Sequence, residues 1–214
     1  VAPVALGYAR AQADLRYQKD TSSVVPVMIH GDAAVAGQGV VYETLQMAEL
    51  PAYQCGGAIH FIINNQIGFT TDWQDARSSH YSCSIARTLE APIIHVNGDD
   101  PESVVYAMEF AMEFRQKFKT DIFIDMVCYR KHGHNEGDEP KYTQPELYGL
   151  IAKQKSPRQM YLESLLNWHQ FSQEEVKKIE TDFKKMLSDR FNDVKDHTLP
   201  ERVKGPHTEW LDLN

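Results

Sequence analysis

Hydrophobic residues in this chain fall into short continuous runs separated by longer segments with helical spacing. Short apolar, β-branched runs are typical of strands that are buried on both faces. Apolar residues three and four positions apart indicate an amphipathic helix. The runs predict strands at 24–29, 58–63, 92–96 and 121–127. Helical spacing predicts helices at 5–18, 37–50 and 79–89.

A further helix is predicted to begin at Asp100-Pro101, because Asp is a common N-cap and Pro fits the first helical turn. Its predicted apolar face comprises Val104, Met108, Ala111, Phe114 and Phe118. Strands that alternate with helices indicate the α/β class, a mostly parallel sheet flanked by helices. We therefore predict an α/β domain over residues 1–145.

A helical C-terminal extension is predicted over residues 146–214, packing on the first domain or linking it to a next one. The helical pattern of 147–166 breaks near Ser156-Pro157, and a capping box at Ser172–Glu175 starts another helix. One stripe of that last helix is apolar, consisting of Val176, Ile179, Phe183 and Met186. We interpret this helix as structural, and a regulatory or partner-binding role is the alternative.

Composition excludes several functional classes. A formal charge of -8 without a basic run argues against nucleic-acid binding. No segment is apolar and long enough to predict a membrane span, and no signal peptide is evident. Three dispersed cysteines without a CxxC pair predict no disulfide framework, which fits a reducing compartment such as the bacterial cytoplasm or the mitochondrial matrix. Because the chain begins at Val1 without Met, we expect a piece cut from a longer polypeptide.

Polar residues follow each predicted strand, in the loops 30–39, 64–71, 97–100 and 131–140. Ligands of parallel sheets bind beyond the carboxyl ends of the strands, so we expect these loops to gather at one edge. Asp32 ends the first strand, and Asn65 stands 33 positions later at the end of the next. Each alone is an ordinary turn or capping residue. Together with the Ile67 carbonyl they offer hard oxygen ligands, which predicts a magnesium site.

The small residues Ala33 and Ala34 leave room for a diphosphate to approach the backbone. His132 and His134 lie in the polar loop 131–140, where contact with a diphosphate is the favoured interpretation and zinc binding the alternative. His95 is either a packed strand residue or a functional one. Arg77, Ser78 and Ser79 are weaker candidates for a substrate entrance.

Long motifs in this order resemble the thiamine-diphosphate-dependent first component of the 2-oxoglutarate dehydrogenase complex. The motifs are His30–Gly39, Asn64–Thr71, His95–Glu102, Cys128–Arg130 and Gly133–Glu136, within a resemblance that covers residues 1 to about 165. The general thiamine diphosphate signature has glycine where this chain has Ala33. The 2-oxoglutarate branch shares that departure, so alanine here favours it.

The resemblance implies a thiamine-diphosphate-binding fold and a set of site residues. It makes Asp32, Asn65 and the Ile67 carbonyl magnesium ligands, and it places the Ala33 and Ala34 backbone on the diphosphate. His134 matches a cofactor-contacting, catalytic histidine.

The implied reaction is decarboxylation of 2-oxoglutarate in the tricarboxylic acid cycle, with the succinyl unit passing to a lipoyl group on the second component. A homodimer is also implied. In that family a different domain supplies the activating glutamate, so we expect this chain alone to be inactive. A 2-oxoadipate dehydrogenase and a non-catalytic interaction module remain the alternatives.

Overall fold

Four parallel strands form the central sheet of the computed structural model, in which residues 1–196 are described. In chain order the strands are Val27–Gly31 (β1), Ile59–Asn64 (β2), Ile93–Asn97 (β3) and Ile122–Val127 (β4). Their order across the sheet is β1-β2-β4-β3. The predicted parallel sheet is confirmed, and all four carboxyl ends lie at one edge. Strand β1 begins later than predicted, after Pro26, which lacks the N–H that a ladder requires.

Helices cover both faces of the sheet, as the α/β class requires. Among residues 1–196, including those outside this sheet, the α-helices are Ala2–Arg16 (α1), Asp32–Gly37 (α2), Gly39–Met47 (α3), Trp73–Ala76 (α4), Pro101–Phe118 (α5), Pro145–Ile151 (α6), Pro157–Asn167 (α7) and Gln173–Lys195 (α8). Two 3-10 helices, Ser82–Leu89 and Pro140–Tyr142, complete the set. The helix predicted at 79–89 is therefore a shorter 3-10 helix. The break predicted near Ser156-Pro157 separates α6 from α7.

Alternate side chains of the strands fill two separate cores. One core packs Ile62 and Phe123 against helices α2 and α3 and the 3-10 helix Ser82–Leu89. The other packs Ile122 and Ile124 against Ala107 and Ala111 of α5. This alternation follows from the strand period of two, which sends neighbouring side chains to opposite faces. Strands β2, β3 and β4 are thus packed on both faces, whereas Val27 and Ile29 of β1 are exposed.

Helix α5 departs from its predicted apolar face at two positions. Phe118 is 56% exposed rather than packed. Arg115 is instead fully buried, and its guanidinium donates to the carbonyl oxygens of Gly57, Val24 and Cys55 at 2.8–3.0 Å. The helix therefore contacts the sheet through Val104, Met108, Ala111 and Phe114, and its last turn contacts loops through a charged side chain.

Two short elements after β2 were not predicted. An antiparallel hairpin pairs Ile67–Gly68 with Thr71–Asp72, and α4 follows it, capped by the Asp72 carboxylate, which accepts from Gln74 N at 3.0 Å. Both elements are too short for a hydrophobic period to reveal them. They turn the chain back over the carboxyl edge.

The chain divides into two compact units, Val1–Tyr161 and Leu162–Asn214. The second unit contains α8, whose predicted capping box is present between Ser172 and Glu175. Its apolar stripe is exposed, including Ile179, Phe183 and Met186. The domain boundary predicted at 145/146 stays a prediction, and positions 197–214 of the predicted helical extension lie outside the described residues. Among the described residues, no helix has the length and apolar character needed to span a membrane.

Candidate active site

Asp32 is the first residue of α2, directly after β1, and its side chain is buried at the carboxyl edge of the sheet. The residue is only 2% exposed. Burial raises the pKa of its carboxyl group, and this rise is opposed by the Ala33 amide and by the Arg77 guanidinium. Arg77 Nη1 lies 3.5 Å from Asp32 Oδ2. The site therefore holds a desolvated acid beside a largely buried cation.

Two asparagines, Asn64 at the end of β2 and Asn65 in the turn after it, precede the hairpin that packs against the Asp32 loop. Asn65 Oδ1 accepts from Ile67 N at 3.2 Å, and Gln66 adopts a left-handed φ of 66° between them. Gln66 Nε2 donates to the Cys128 carbonyl at 2.9 Å, which ties this turn to the end of β4. Asn64 Oδ1 is buried and has no hydrogen-bond partner within residues 1–196.

Gly68 shows how closely this turn approaches the Asp32 loop. A Cβ placed on Gly68 would lie 2.8 Å from the Ala33 Cβ, which is nearer than two carbons can pack. Ala33 and Ala34 themselves are exposed to solvent. The two predicted halves of the site are therefore in direct contact, with an exposed stretch of backbone beside the acid.

The loop that follows β4 reaches the same edge. Arg130 Nη2 donates to the Phe69 carbonyl at 3.0 Å, and the His134 ring lies 5.1 Å from the Phe69 ring. His134 N donates to Asp138 Oδ2 at 2.8 Å. Gly133 makes this turn possible, since a Cβ there would stand 2.1 Å from the Asp138 carbonyl oxygen. The exposed imidazole of His134 therefore belongs to the same loop cluster as Asn65.

The zinc alternative for His132 and His134 finds no support in the geometry. Within the part of the chain that the structure describes, no group of three His, Cys, Asp or Glu ligands includes either histidine. The three cysteines are free, in agreement with the prediction of no disulfide framework.

Asp100 accepts from Ser103 N at 3.1 Å, which confirms it as the N-cap of α5.

These three loops assemble oxygen donors, cationic side chains and an exposed histidine at the carboxyl edge of a parallel sheet. A family model described as "Dehydrogenase E1 component" matches residues 1–202. The chain belongs to the dehydrogenase E1 component family.

Relatives with the same segment carry names from 2-oxoglutarate metabolism. The "2-oxoglutarate dehydrogenase E1 component" of Azotobacter vinelandii is 46% identical over 210 residues, which are 98% of this chain and 22% of that protein. The "Multifunctional 2-oxoglutarate metabolism enzyme" of Mycobacterium sp. (strain JLS) is 49% identical over 199 residues, covering 92% of this chain and 16% of the relative. The same values hold for the enzyme of that name from Mycolicibacterium vanbaalenii. This E1-family chain thus spans about a fifth of the length of these relatives.

The structure of this E1-family chain places Asp32, Asn65 and His134 on loops that contact one another, each loop following a parallel strand. Their roles as ligands stay predictions, as do those of Ala33, Ala34 and Ile67. The sequence did not identify Arg77 as the partner of Asp32, because 45 positions and a hairpin separate them. The unpartnered Asn64 oxygen was also missed, since only burial distinguishes it from its neighbour.

Proposed function

We propose that this chain forms the diphosphate- and magnesium-binding part of a thiamine-diphosphate-dependent 2-oxoglutarate dehydrogenase first component. The observation that carries the proposal is the buried Asp32 carboxylate on a loop that packs, through Ala33, against Gly68 of the hairpin that follows Asn64-Asn65. Family membership and the names of the relatives support the same assignment.

The donor set fits a hard divalent cation. A carboxylate and amide oxygens are the ligands that Mg²⁺ accepts, and the ion commonly retains waters and ligand phosphates. Asn65 Oδ1 uses one lone pair on Ile67 N and keeps a second for the ion. A cation would also offset the desolvation that raises the pKa of Asp32. We assign Asp32, Asn65 and the Ile67 carbonyl as the ligands.

The surroundings suit a diphosphate bound through that ion. The exposed backbone of Ala33 and Ala34 has no large side chain that would exclude a phosphate. Arg77 supplies positive charge beside Asp32, and His134 supplies an exposed imidazole from the third loop. In the proposal, these groups bind and orient the diphosphate, and His134 also holds or releases a proton near it.

Thiamine diphosphate, when bound, would supply the carbon nucleophile and electron sink for decarboxylating 2-oxoglutarate. The succinyl unit would then pass to the lipoyl group of the second component, within a homodimeric enzyme. These parts of the proposal concern the longer protein, since the chain spans only 16–22% of its relatives.

Replacing Asp32 with Ala in the full-length protein tests the proposal. The change removes a charged ligand worth about 1.5–3 kcal/mol, so thiamine diphosphate affinity is expected to fall about 10- to 150-fold at constant Mg²⁺. Calorimetric titration with thiamine diphosphate measures the change. Glu43→Gln, an exposed carboxylate on α3, is the matched control and should bind normally. Unchanged affinity in Asp32→Ala would overturn the assignment.

A further inference from the structure

A second group of potential metal ligands lies inside the first unit, under the 3-10 helix Ser82–Leu89. It consists of Cys83 from that helix, His95 from β3 and Asp125 from β4. One ligand atom from each residue lies within 4.8 Å of the other two. Within residues 1–196, it is the one group of three or more His, Cys, Asp or Glu side chains with this geometry.

Asp125 is the centre of this group. It is fully buried, and its Oδ2 lies 2.8 Å from His95 Nδ1. Its other oxygen, Oδ1, is buried without a hydrogen-bond partner in the described part of the chain. A buried carboxylate oxygen without a good donor is unfavourable, so the fold retains a strong acceptor beside the weak donor of the Cys83 thiol.

Cys83 lies against this carboxylate and is also fully buried. The thiol forms a hydrogen bond to Asp125, but a neutral thiol is only a weak donor. A cation between sulfur and oxygen would interact favourably with both.

His95 gives the group a route to solvent. Its side chain is 41% exposed, and the half-exposed Tyr81 ring lies 4.3 Å from the imidazole. An ion could therefore enter past His95 without unfolding the core. The group is buried at Asp125 and Cys83 and open to solvent at His95. Metal sites with three protein ligands and one water share this arrangement.

We propose that Cys83, His95 and Asp125 bind one borderline-soft divalent cation, with Zn²⁺ as the best match. Sulfur, imidazole nitrogen and carboxylate oxygen are the donors that this class of ion accepts, whereas Mg²⁺ requires oxygen ligands. On binding, the Cys83 thiol would transfer its proton to solvent, and the thiolate would form the metal–sulfur bond. The proposal does not depend on the function proposed above.

The geometry needs only small adjustments. Tetrahedral ligand bonds of about 2.0–2.3 Å place neighbouring donor atoms about 3.3–3.8 Å apart. His95 Nδ1 and Asp125 Oδ2, which lie 2.8 Å apart, must therefore separate slightly. Rotation of the partly exposed His95 side chain provides this change. The bound ion would fasten the 3-10 helix to strands β3 and β4.

Cobalt titration of the full-length protein tests this site, with excess Mg²⁺ present to saturate oxygen-only sites. Co²⁺ bound to a thiolate gives a near-ultraviolet charge-transfer band, and Zn²⁺ displaces it. The wild type is expected to bind one Co²⁺ with this band and to show a higher Tm with Zn²⁺. Cys83→Ser is expected to lose the band, whereas Cys55→Ser, another buried free cysteine, should retain it.

His95→Gln is the second variant, because its partly exposed position allows the protein to fold even if Cys83→Ser does not. It is expected to bind Co²⁺ at least about tenfold more weakly than wild type. His132→Gln, an exposed histidine outside the group, should bind normally. Absence of a thiolate band in the wild type, or unchanged affinity in both folded variants, would overturn the proposal.

Discussion

Asp32 is an ordinary strand-end aspartate in the sequence and a desolvated acid in the fold. Its burial raises its pKa, and its nearest cation, Arg77, is contributed from beyond the next strand. The sequence could predict that Asp32 and Asn65 meet, because both follow parallel strands that pair side by side. It could not predict Arg77, since the hairpin that positions it leaves no periodic pattern. Nor could the sequence predict that the Asn64 side-chain oxygen is buried.

Gly68→Ala should disturb the contact between the two halves of the site. The new Cβ would stand 2.8 Å from the Ala33 Cβ, so backbone must move. Overpacking of this kind costs about 1–3 kcal/mol, and we expect a lower urea midpoint together with weaker thiamine diphosphate binding in the full-length protein. Gly149→Ala in α6 meets no atom within 4 Å and should reduce neither.

The same contact allows a rescue test. Combining Gly68→Ala with Ala33→Gly removes the opposing methyl group, so the double variant should regain most of the affinity lost in Gly68→Ala. A double variant as weak as the single one would show that the loss does not come from this contact. Double-variant cycles are informative here because the two residues touch.

Helix α5 illustrates how one element combines local and tertiary determinants. Its start was predictable, since Asp100 and Pro101 suit the N-terminus whatever surrounds them. Its packing was only partly predictable. The apolar spacing identified Val104, Met108, Ala111 and Phe114, but it also included Phe118, which is exposed, and it passed over Arg115. A buried arginine depends on three carbonyl groups from distant loops, which no helical period encodes.

Replacing Arg115 with Met should destabilise the first unit strongly. The carbonyl oxygens of Gly57, Val24 and Cys55 would each lose their donor. Buried groups left without partners cost about 1–3 kcal/mol each, so we expect a loss on the order of 3 kcal/mol in urea unfolding. Lys117→Met, an exposed cation on the same helix, is the control and should change stability little. Equal effects of the two substitutions would contradict the role assigned to Arg115.

The cap of α5 should make a pH-dependent contribution. Hydrogen bonds from the Ser103 hydroxyl and amide lower the pKa of Asp100 below its ordinary value of 3.8. An acid with a lowered folded pKa stabilises the fold above its unfolded pKa, and this stabilisation is lost as pH falls through the folded value. Asp100→Ala should therefore lower the urea midpoint near neutral pH and have less effect in acid.

Asp100→Asn separates capping from charge, because Asn is also a good N-cap but does not titrate. Its urea midpoint should stay near that of the wild type at neutral pH and lose the acid-dependent part. If Asp100→Ala lowered the midpoint equally at all pH values, the carboxylate would not be the source of the stabilisation.

The molecule as a whole contains one well-packed α/β unit and a second unit with an exposed apolar stripe on α8. The proposed site lies entirely within the first unit. Under the proposed function, the activating glutamate comes from another domain, and the chain spans 16–22% of its relatives. The site can therefore hold part of a cofactor without completing the reaction.

The isolated 214-residue chain is expected to show no 2-oxoglutarate decarboxylation with saturating thiamine diphosphate and Mg²⁺. The full-length protein should release carbon dioxide from 2-oxoglutarate, and more slowly from 2-oxoadipate. Carbon dioxide release from both substrates measures this difference. Turnover by the highly purified chain would contradict the requirement for other segments.

The sequence by itself determined the α/β class, the four strands and the sheet edge at which the loops of Asp32, Asn65 and His134 lie. Strand runs, helix periods and caps are local, and parallel connections place every carboxyl end on the same side. Only the tertiary structure decided which polar groups are buried and which partners they contact. Arg77 pairs with Asp32, Arg115 donates to three carbonyl groups, and Cys83 and His95 lie beside Asp125. Burial and contact between distant segments depend on packing, which no short pattern in the chain contains.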